Sequence, residues 1–483
     1  MLTYSFSDIG NASLYEHLYH SIKEDIVSGT LKPQDRLPSK RSFAKHLNIS
    51  TITIENAYAQ LLAEGYIYSL PKKGYYVSDI TELVYSPKSD RVHASCASEA
   101  SSSAFKQESD AGVSVVKEAP VAYQVDFASN QTCAERFPFA TWMKLMREIM
   151  AEKSTELMTN PPGIGIPELR AAIAEHLQQF RGMQVSPEQV IIGAGTEYLY
   201  GLLIQLLGRE KVYAIENPGY TKIARIYAAQ QVAVRHLSMD RSGICMEELE
   251  QSDCDILHIS PTHHFPTGIV TSINRRNELL NWAAASDGRY IIEDDYDCEF
   301  RLMGKPIRSL QSLDQMEKVI YINTFTKSLT STIRISYMVL PPHLMELFQQ
   351  KLGFYSATVS NFEQYTLAKF LREGYFEKHI NRMRKFYRNQ RDELLSCIKK
   401  SPLSSKVTIT EEDAGLHFLL RIQSSLTEAQ IQQKAAAKGL RISSLSQFYH
   451  GTYEHTVPTF LINYSALRLE QIPMAVELLG QCI

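Results

Sequence analysis

The chain lacks the features that would place it outside the cell or in a membrane. Its seven cysteines form no CxxC pair, and their number is odd. That pattern argues against a disulfide scaffold or a cysteine-ligated zinc site, and for a reducing compartment. No apolar run approaches membrane-spanning length, and the N-terminus shows no secretion-signal pattern. The expected location is therefore the cytoplasm. Excess charge is missing too. The net charge is -3 over 483 residues, so the molecule as a whole has no strong pull on a polyanion, and any nucleic-acid surface must be local. There is no internal repeat. What remains is an ordinary globular composition, 44% apolar and 21% charged, on a chain long enough for more than one domain.

Within the first 80 residues, positive charge is concentrated locally, between Lys32 and Lys45 and at Lys72-Lys73. Ser13 precedes the stripe Leu14, Leu18, Ile22 and Ile26, which predicts a helix ended by Gly29. Ser39 is a candidate N-cap for a second helix carrying Phe43, Ala44 and Leu47. Asn48-Ile49-Ser50 is a tight turn. A third helix is predicted over 51–64, packing through Ile54, Ala57, Tyr58, Leu61 and Leu62 and closed by Gly65. Alternation from Tyr66 to Val77 around Pro71-Lys72-Lys73-Gly74 predicts a hairpin. This order is that of a winged helix-turn-helix whose third helix enters the major groove. Lys32, Arg36, Lys40, Arg41 and Lys45 are opposed only by Asp35, and Lys72 and Lys73 make the hairpin tip basic. These suit phosphates, while Thr51, Thr53 and Asn56 suit base edges. Ser39 and Gly74 complete the candidate DNA-contacting set. The alternative is a protein-interaction helix-turn-helix with a solvated basic face.

Residues 81–123 carry no apolar period and are rich in Ser and Ala around 95–103, so they read as a flexible linker. The expected domains are 1–80, this linker, and 124–483. In the last of these, short apolar runs at 190–193, 212–216, 256–260, 290–293, 319–322 and 335–340 alternate with amphipathic segments such as 196–207 and 274–285. That is the pattern of a largely parallel α/β sheet with ligands at the strand ends. Beyond about residue 343 the chain reads as a smaller α+β lobe.

Five motifs punctuate the strands. Ile191-Ile-Gly-Ala-Gly-Thr-Glu197 is a strand, a glycine turn and a helix start, a place for a phosphate. Glu216-Asn-Pro-Gly-Tyr220 puts an aromatic ring after a strand. Ser260-Pro-Thr-His-His-Phe-Pro-Thr-Gly268 is a rigid loop; its adjacent histidines would need a third ligand to hold a metal. Ile291-Ile-Glu-Asp-Asp-Tyr-Asp297 places carboxylates at a strand end, able to pair with a protonated pyridine nitrogen. Lys327 follows the 319–322 strand, where an apolar setting can free its amine to attack an aldehyde. Thr324, Thr326 and Arg334 are hydroxyl and guanidinium donors for a phosphate. Aldehyde plus phosphate points to pyridoxal 5'-phosphate (PLP).

The head resembles the GntR family through Gly29-x-Leu31, Leu37-Pro-Ser-x-Arg41, Leu47, Ala57-Tyr58, Leu61, Glu64-Gly65 and Gly74-x-x-Val77. The rest, with its five ordered motifs, resembles a fold-type I aminotransferase, with a large α/β lobe and a small α+β lobe. Head and body together resemble the MocR subfamily of bacterial transcription regulators. That resemblance implies PLP as cofactor, with Lys327 forming the internal aldimine. It puts Asp294 on the pyridine nitrogen, Tyr296 on the ring oxygen and Tyr220 against the ring. It assigns Gly195, Thr196, Thr324 and Arg334 to the phosphate. It also implies a double-stranded DNA operator and a head-to-tail homodimer.

The chain departs from these families in places. Thr51 stands where GntR heads usually carry arginine. Phe265 replaces the asparagine that bonds the ring oxygen, and Met158 stands near a usual tyrosine that reaches the partner's phosphate. Ala466 occupies the position of the arginine that grips a substrate carboxylate. Arg468 lies two residues on, with the same side-chain direction if the segment is extended. Losing that guanidinium fork costs a bound amino acid roughly 1.5–3 kcal/mol. The leading expectation is a regulator of vitamin B6 synthesis or salvage that senses PLP and does not turn over substrate. The alternatives are a regulator sensing an amino acid such as γ-aminobutyrate or a D-alanine compound, an active aminotransferase with an appended head, and a head that only dimerises.

Overall fold

The computed structural model describes residues 2, 4, 6, 13–71, 73–80, 123–129, 132–302, 307–412, 415–451, 453 and 457–483. The linker expected over 81–123 lies outside them except for Tyr123, as does Lys72 of the hairpin tip.

The head folds as its periodicity requires. Helices Leu14–Val27, Lys40–Leu47 and Thr51–Glu64 are followed by the hairpin Ile67–Leu70 with Gly74–Val77. Ser13 and Glu16 form a capping box. Ser39 Oγ accepts from the Ser42 N–H at 3.2 Å, and Ser50 Oγ from the Thr53 N–H at 3.1 Å. Asn48 and Gly65 end the second and third helices in the left-handed region, at φ 54° and 81°. Phe43, Ile54, Ala57, Tyr58 and Leu61 are buried together, whereas Leu62 is half-buried.

The body is built on an eight-stranded sheet. In spatial order its strands are Val190–Gly193, Ser336–Val339, Val319–Thr324, Tyr290–Asp294, Ile256–Ile259, Val212–Asn217, Ala233–Asp240 and Gly243–Ile244. The five from Val319–Thr324 to Ala233–Asp240 run parallel. Ser336–Val339 is antiparallel to both its neighbours. The central strands are buried throughout because helices cover both faces, which is why they read as unbroken apolar runs. Their carboxyl ends converge at Asn217, Ile259, Asp294 and Thr324.

The smaller lobe combines the 26-residue helix Tyr375–Lys400 with an antiparallel sheet of Val407–Thr410, His417–Ile422, Thr459–Asn463 and Ser443–Ser444. Val125–Asp126, at the start of the body, pairs with Leu440–Arg441 and so ties its entry to this lobe. Among the described residues, no helix is long and apolar enough to cross a membrane.

Candidate functional site

At the strand ends lies a cavity of about 300 Å³, and all eight residues singled out for the cofactor line it. Gly195 and Thr196 open the helix Thr196–Leu207. No side chain caps that helix, and its first residues line the cavity, so the helix N-terminus offers an anion site there. Arg334 lies beside them, its Nη2 3.5 Å from the Ala194 carbonyl. Gly195 sits at φ 95°, a backbone conformation that favours glycine, and a Cβ there would displace the Arg334 guanidinium. Arg334 itself sits in the left-handed region at φ 51°, a conformation that costs a non-glycine residue on the order of 1 kcal/mol and clusters at functional sites.

The helix Phe325–Ser328 carries Lys327 and starts from Thr324. The Thr324 hydroxyl accepts from the Thr326 N–H at 3.1 Å and from Ser336 Oγ at 2.8 Å, and it donates to Thr326 Oγ1 at 2.8 Å. Thr324 thus fixes the lysine-bearing turn, and Thr326 stands beside it on the cavity wall. Burial lowers the Lys327 ammonium to about 8, with Asp297 opposing the shift.

Asp294 Oδ2 accepts from the Tyr200 phenol and lies 3.6 Å from His258 Nε2. His258 Nδ1 meets Tyr227 Oη at 2.7 Å. The buried Asp294 Oδ1 has no hydrogen-bond partner among the described residues. Burial, then Asp297 and Asp294, keep the Tyr296 phenol neutral far above its ordinary range. Tyr220 stands 44% exposed at the cavity and meets Phe265 edge-on at 5.9 Å. Under this wall Glu216 accepts from the Ser260 N–H at 3.0 Å, and burial raises its carboxyl to about 8.

The two adjacent histidines go separate ways. His263 Nδ1 meets Asp297 Oδ2 at 2.7 Å, and His264 Nδ1 meets Thr267 Oγ1 at 2.7 Å. The segment is not extended as far as Arg468, so the shared side-chain direction of positions 466 and 468 does not hold. The strand Thr459–Asn463 stops, and the Asn463 side chain accepts from the Ser465 backbone at 2.9 Å and its hydroxyl at 2.7 Å, turning the chain. Side-chain parity is lost there. Ala466 is exposed, and Arg468 pairs with Glu135 at 2.6 Å, away from the cavity. Met158 is 76% exposed.

Tyr200, Lys222 and Ile223 are cavity residues outside the motifs, and Glu197 lies in the first motif without a role assigned to it. Helical spacing from Thr196 puts Tyr200 on the same face, a signal that was present. Glu197 pairs with Lys222 and lies 3.8 Å from Arg334 Nη2.

In the head, Arg36, Arg41, Thr51 and Lys73 are exposed, and Ser39 is spent as a cap. Lys40 Nζ pairs with Glu55 at 2.7 Å. The Thr53 hydroxyl turns back to Ser50 at 2.8 Å, and Asn56 is half-buried. Gly74 sits at φ 111°, a backbone conformation that favours glycine, beside the Arg36 side chain.

Residues 122–479 match the family model for aminotransferase class I and II, and residues 14–77 match that for bacterial regulatory proteins of the gntR family. The chain is 37% identical to the HTH-type transcriptional regulator YdeL of Bacillus subtilis, covering 92% of this chain and 91% of that relative. It is 30% identical to the probable rhizopine catabolism regulatory protein MocR of Rhizobium meliloti, over 90% and 87%. The pyridoxine biosynthesis transcriptional regulator PdxR of Corynebacterium glutamicum is 27% identical, over 91% and 90%. A kynurenine aminotransferase structure from Pyrococcus horikoshii shares the body's fold, with a TM-score of 0.65 at 23% identity over 74% of this chain and 90% of that one. With both models matched in this order, the chain belongs to the MocR subfamily of GntR-type transcription regulators, a DNA-binding head joined to an aminotransferase class I and II body.

Proposed function

We propose that this regulator binds PLP in the cavity and that PLP itself is its effector, controlling vitamin B6 synthesis or salvage. The observation that carries the reading is the meeting of all eight residues in one cavity whose groups fit the cofactor. When bound, PLP supplies an aldehyde, a basic pyridine nitrogen and a phosphate. Lys327 offers an amine that burial lets lose its proton around pH 8 instead of around 10.5. Asp294 Oδ1, which has no partner among the described residues, would accept from a protonated pyridine nitrogen. Tyr296 is a neutral donor, and Tyr220 and Phe265 are ring-sized walls. Arg334 and the open N-terminus of Thr196–Leu207 would take the phosphate.

Sensing is favoured over turnover because, among the described residues, Arg334 is the one arginine lining the cavity. The cations lining the cavity are Lys222, Lys327 and Arg334, and none replaces a carboxylate arginine: Lys222 is paired with Glu197, and the other two serve the cofactor. The likeness to PdxR supports the B6 assignment. The proposed assembly is a head-to-tail homodimer. In its support, Phe139, Met143 and Met150 expose an apolar stripe on the helix Phe139–Glu152.

Gel shifts on the protein's own upstream DNA test the effector. PLP alone should change the shift; a change that requires one amino acid would replace this reading by the amino-acid sensor. Sustained multiple turnovers across an amino-acid panel would instead make the chain an aminotransferase with an appended head.

A further inference from the structure

A carboxylate stands beside the place proposed for the phosphate. Glu197 is the second residue of the helix Thr196–Leu207, next to its uncapped N-terminus. Glu197 Oε1 forms an ion pair with the Lys222 ammonium and lies 3.8 Å from Arg334 Nη2. One oxygen therefore faces two of the three cations that line the cavity. A negative side chain in a first turn also sits in the positive end of its own helix dipole. Each positive feature that would draw a phosphate here, Arg334 and the helix N-terminus, is already answered in part by Glu197.

A phosphate dianion that reaches Arg334 and this helix N-terminus comes close to a group of its own sign. The two anions repel, and they compete for the same guanidinium. Lys222 does not remove the conflict. It sits in the first turn of the helix Thr221–Ala229, just after Tyr220, and holds the carboxylate at the cavity. The side chains of Glu197, Lys222 and Arg334 are 44%, 46% and 51% exposed, so water and salt moderate the repulsion without abolishing it.

We propose that Glu197 is a built-in competitor for the phosphate, an affinity-setting residue that weakens the hold on PLP and keeps it exchangeable. The proposal rests on the reading of the cavity as a PLP site. It gives that reading a physical basis for detection. Occupancy reports a concentration only when the site is partly empty at that concentration, and a phosphate grip without an opposing charge would stay filled. The competition acts on the phosphate alone. The aldehyde and the ring meet Lys327, Asp294 and Tyr220, which Glu197 does not bond.

Titration of the cofactor-free full chain with PLP and, separately, with pyridoxal tests this, with uptake read by absorbance. Pyridoxal carries the aldehyde and the ring but no phosphate. Glu197→Gln keeps the shape of the side chain and removes its charge. It should lower the Kd for PLP by a factor of about 5 at low salt, and that factor should shrink towards one at about 0.5 M salt. The Kd for pyridoxal should not change. A variant that binds PLP as the wild type does, or more weakly, overturns the competitor and leaves the cofactor reading standing. So does a gain that pyridoxal shares equally, or one that salt leaves untouched. Failure of wild type and variant alike to take up PLP overturns both.

Discussion

The Tyr200 phenol donates to Asp294 Oδ2 and leaves Asp294 Oδ1 as the buried corner of that carboxylate with no protein partner described. A buried carboxylate half-satisfied in this way suits a cationic ring nitrogen. Asp294→Ala should weaken PLP retention by about 1.5–3 kcal/mol, the scale of a charged hydrogen bond. Tyr200→Phe should weaken it less, since it only loosens the carboxylate. Fluorescence titration of the cofactor-free protein would order the two.

Capture of PLP should depend on pH through Lys327. Burial lowers the ammonium to about 8 from an ordinary 10.5, with Asp297 pulling the other way. Only the unprotonated amine attacks an aldehyde. The capture rate should rise with pH and level off above about 8. A rise that continues towards 10.5 would mean that the amine is solvated.

Glu216 should weigh on stability in the opposite sense to a surface carboxylate. Burial raises it to about 8 from 4.5, so the folded form keeps a proton that the unfolded chain has lost. Its contribution is fully present below about 4.5 and is lost as pH rises through about 8. Glu216→Gln should flatten the stability profile over that window, measured by denaturant unfolding at a series of pH values. An unchanged slope would place the charge elsewhere.

Arg181 and Asp295 form an ion pair at 2.6 Å with side chains 1% and 2% exposed. Arg181→Met leaves a buried carboxylate without its partner and should cost about 3–5 kcal/mol. A thermal scan showing almost no loss would mean that Asp295 takes up a proton cheaply.

In the head, Arg41→Ala should weaken binding to all DNA sequences and reduce the salt slope by about 1, as for a phosphate contact. Asn56→Ala should instead alter sequence preference. Binding isotherms at several salt concentrations, on the operator and on scrambled DNA, separate the two.

Much of this architecture was legible from local chemistry. Buried strands such as Val319–Thr324 announce themselves as apolar runs, and Ser39, Ser50 and Gly65 mark helix ends through the hydrogen bonds they make or permit. The eight residues assigned to the cofactor were legible because they lie at or near strand ends, whereas Tyr200 and Lys222 lie within helices and carried no such mark. The departures come from tertiary placement. The turn at Ser465 depends on the Asn463 side chain reaching forward, and Arg468 beyond it pairs with Glu135 outside the cavity. Arg276 and Arg181 spend much of their donor capacity on backbone carbonyls, which no residue pattern encodes.

The most direct test is borohydride reduction of the PLP-treated protein, followed by peptide mapping and a gel shift on the upstream DNA. The account predicts a stable pyridoxyl adduct on Lys327, and a DNA shift that responds to PLP in the wild type but not in Lys327→Ala. A protein that takes up no PLP, or a Lys327→Ala variant whose DNA binding still responds to PLP, would contradict it.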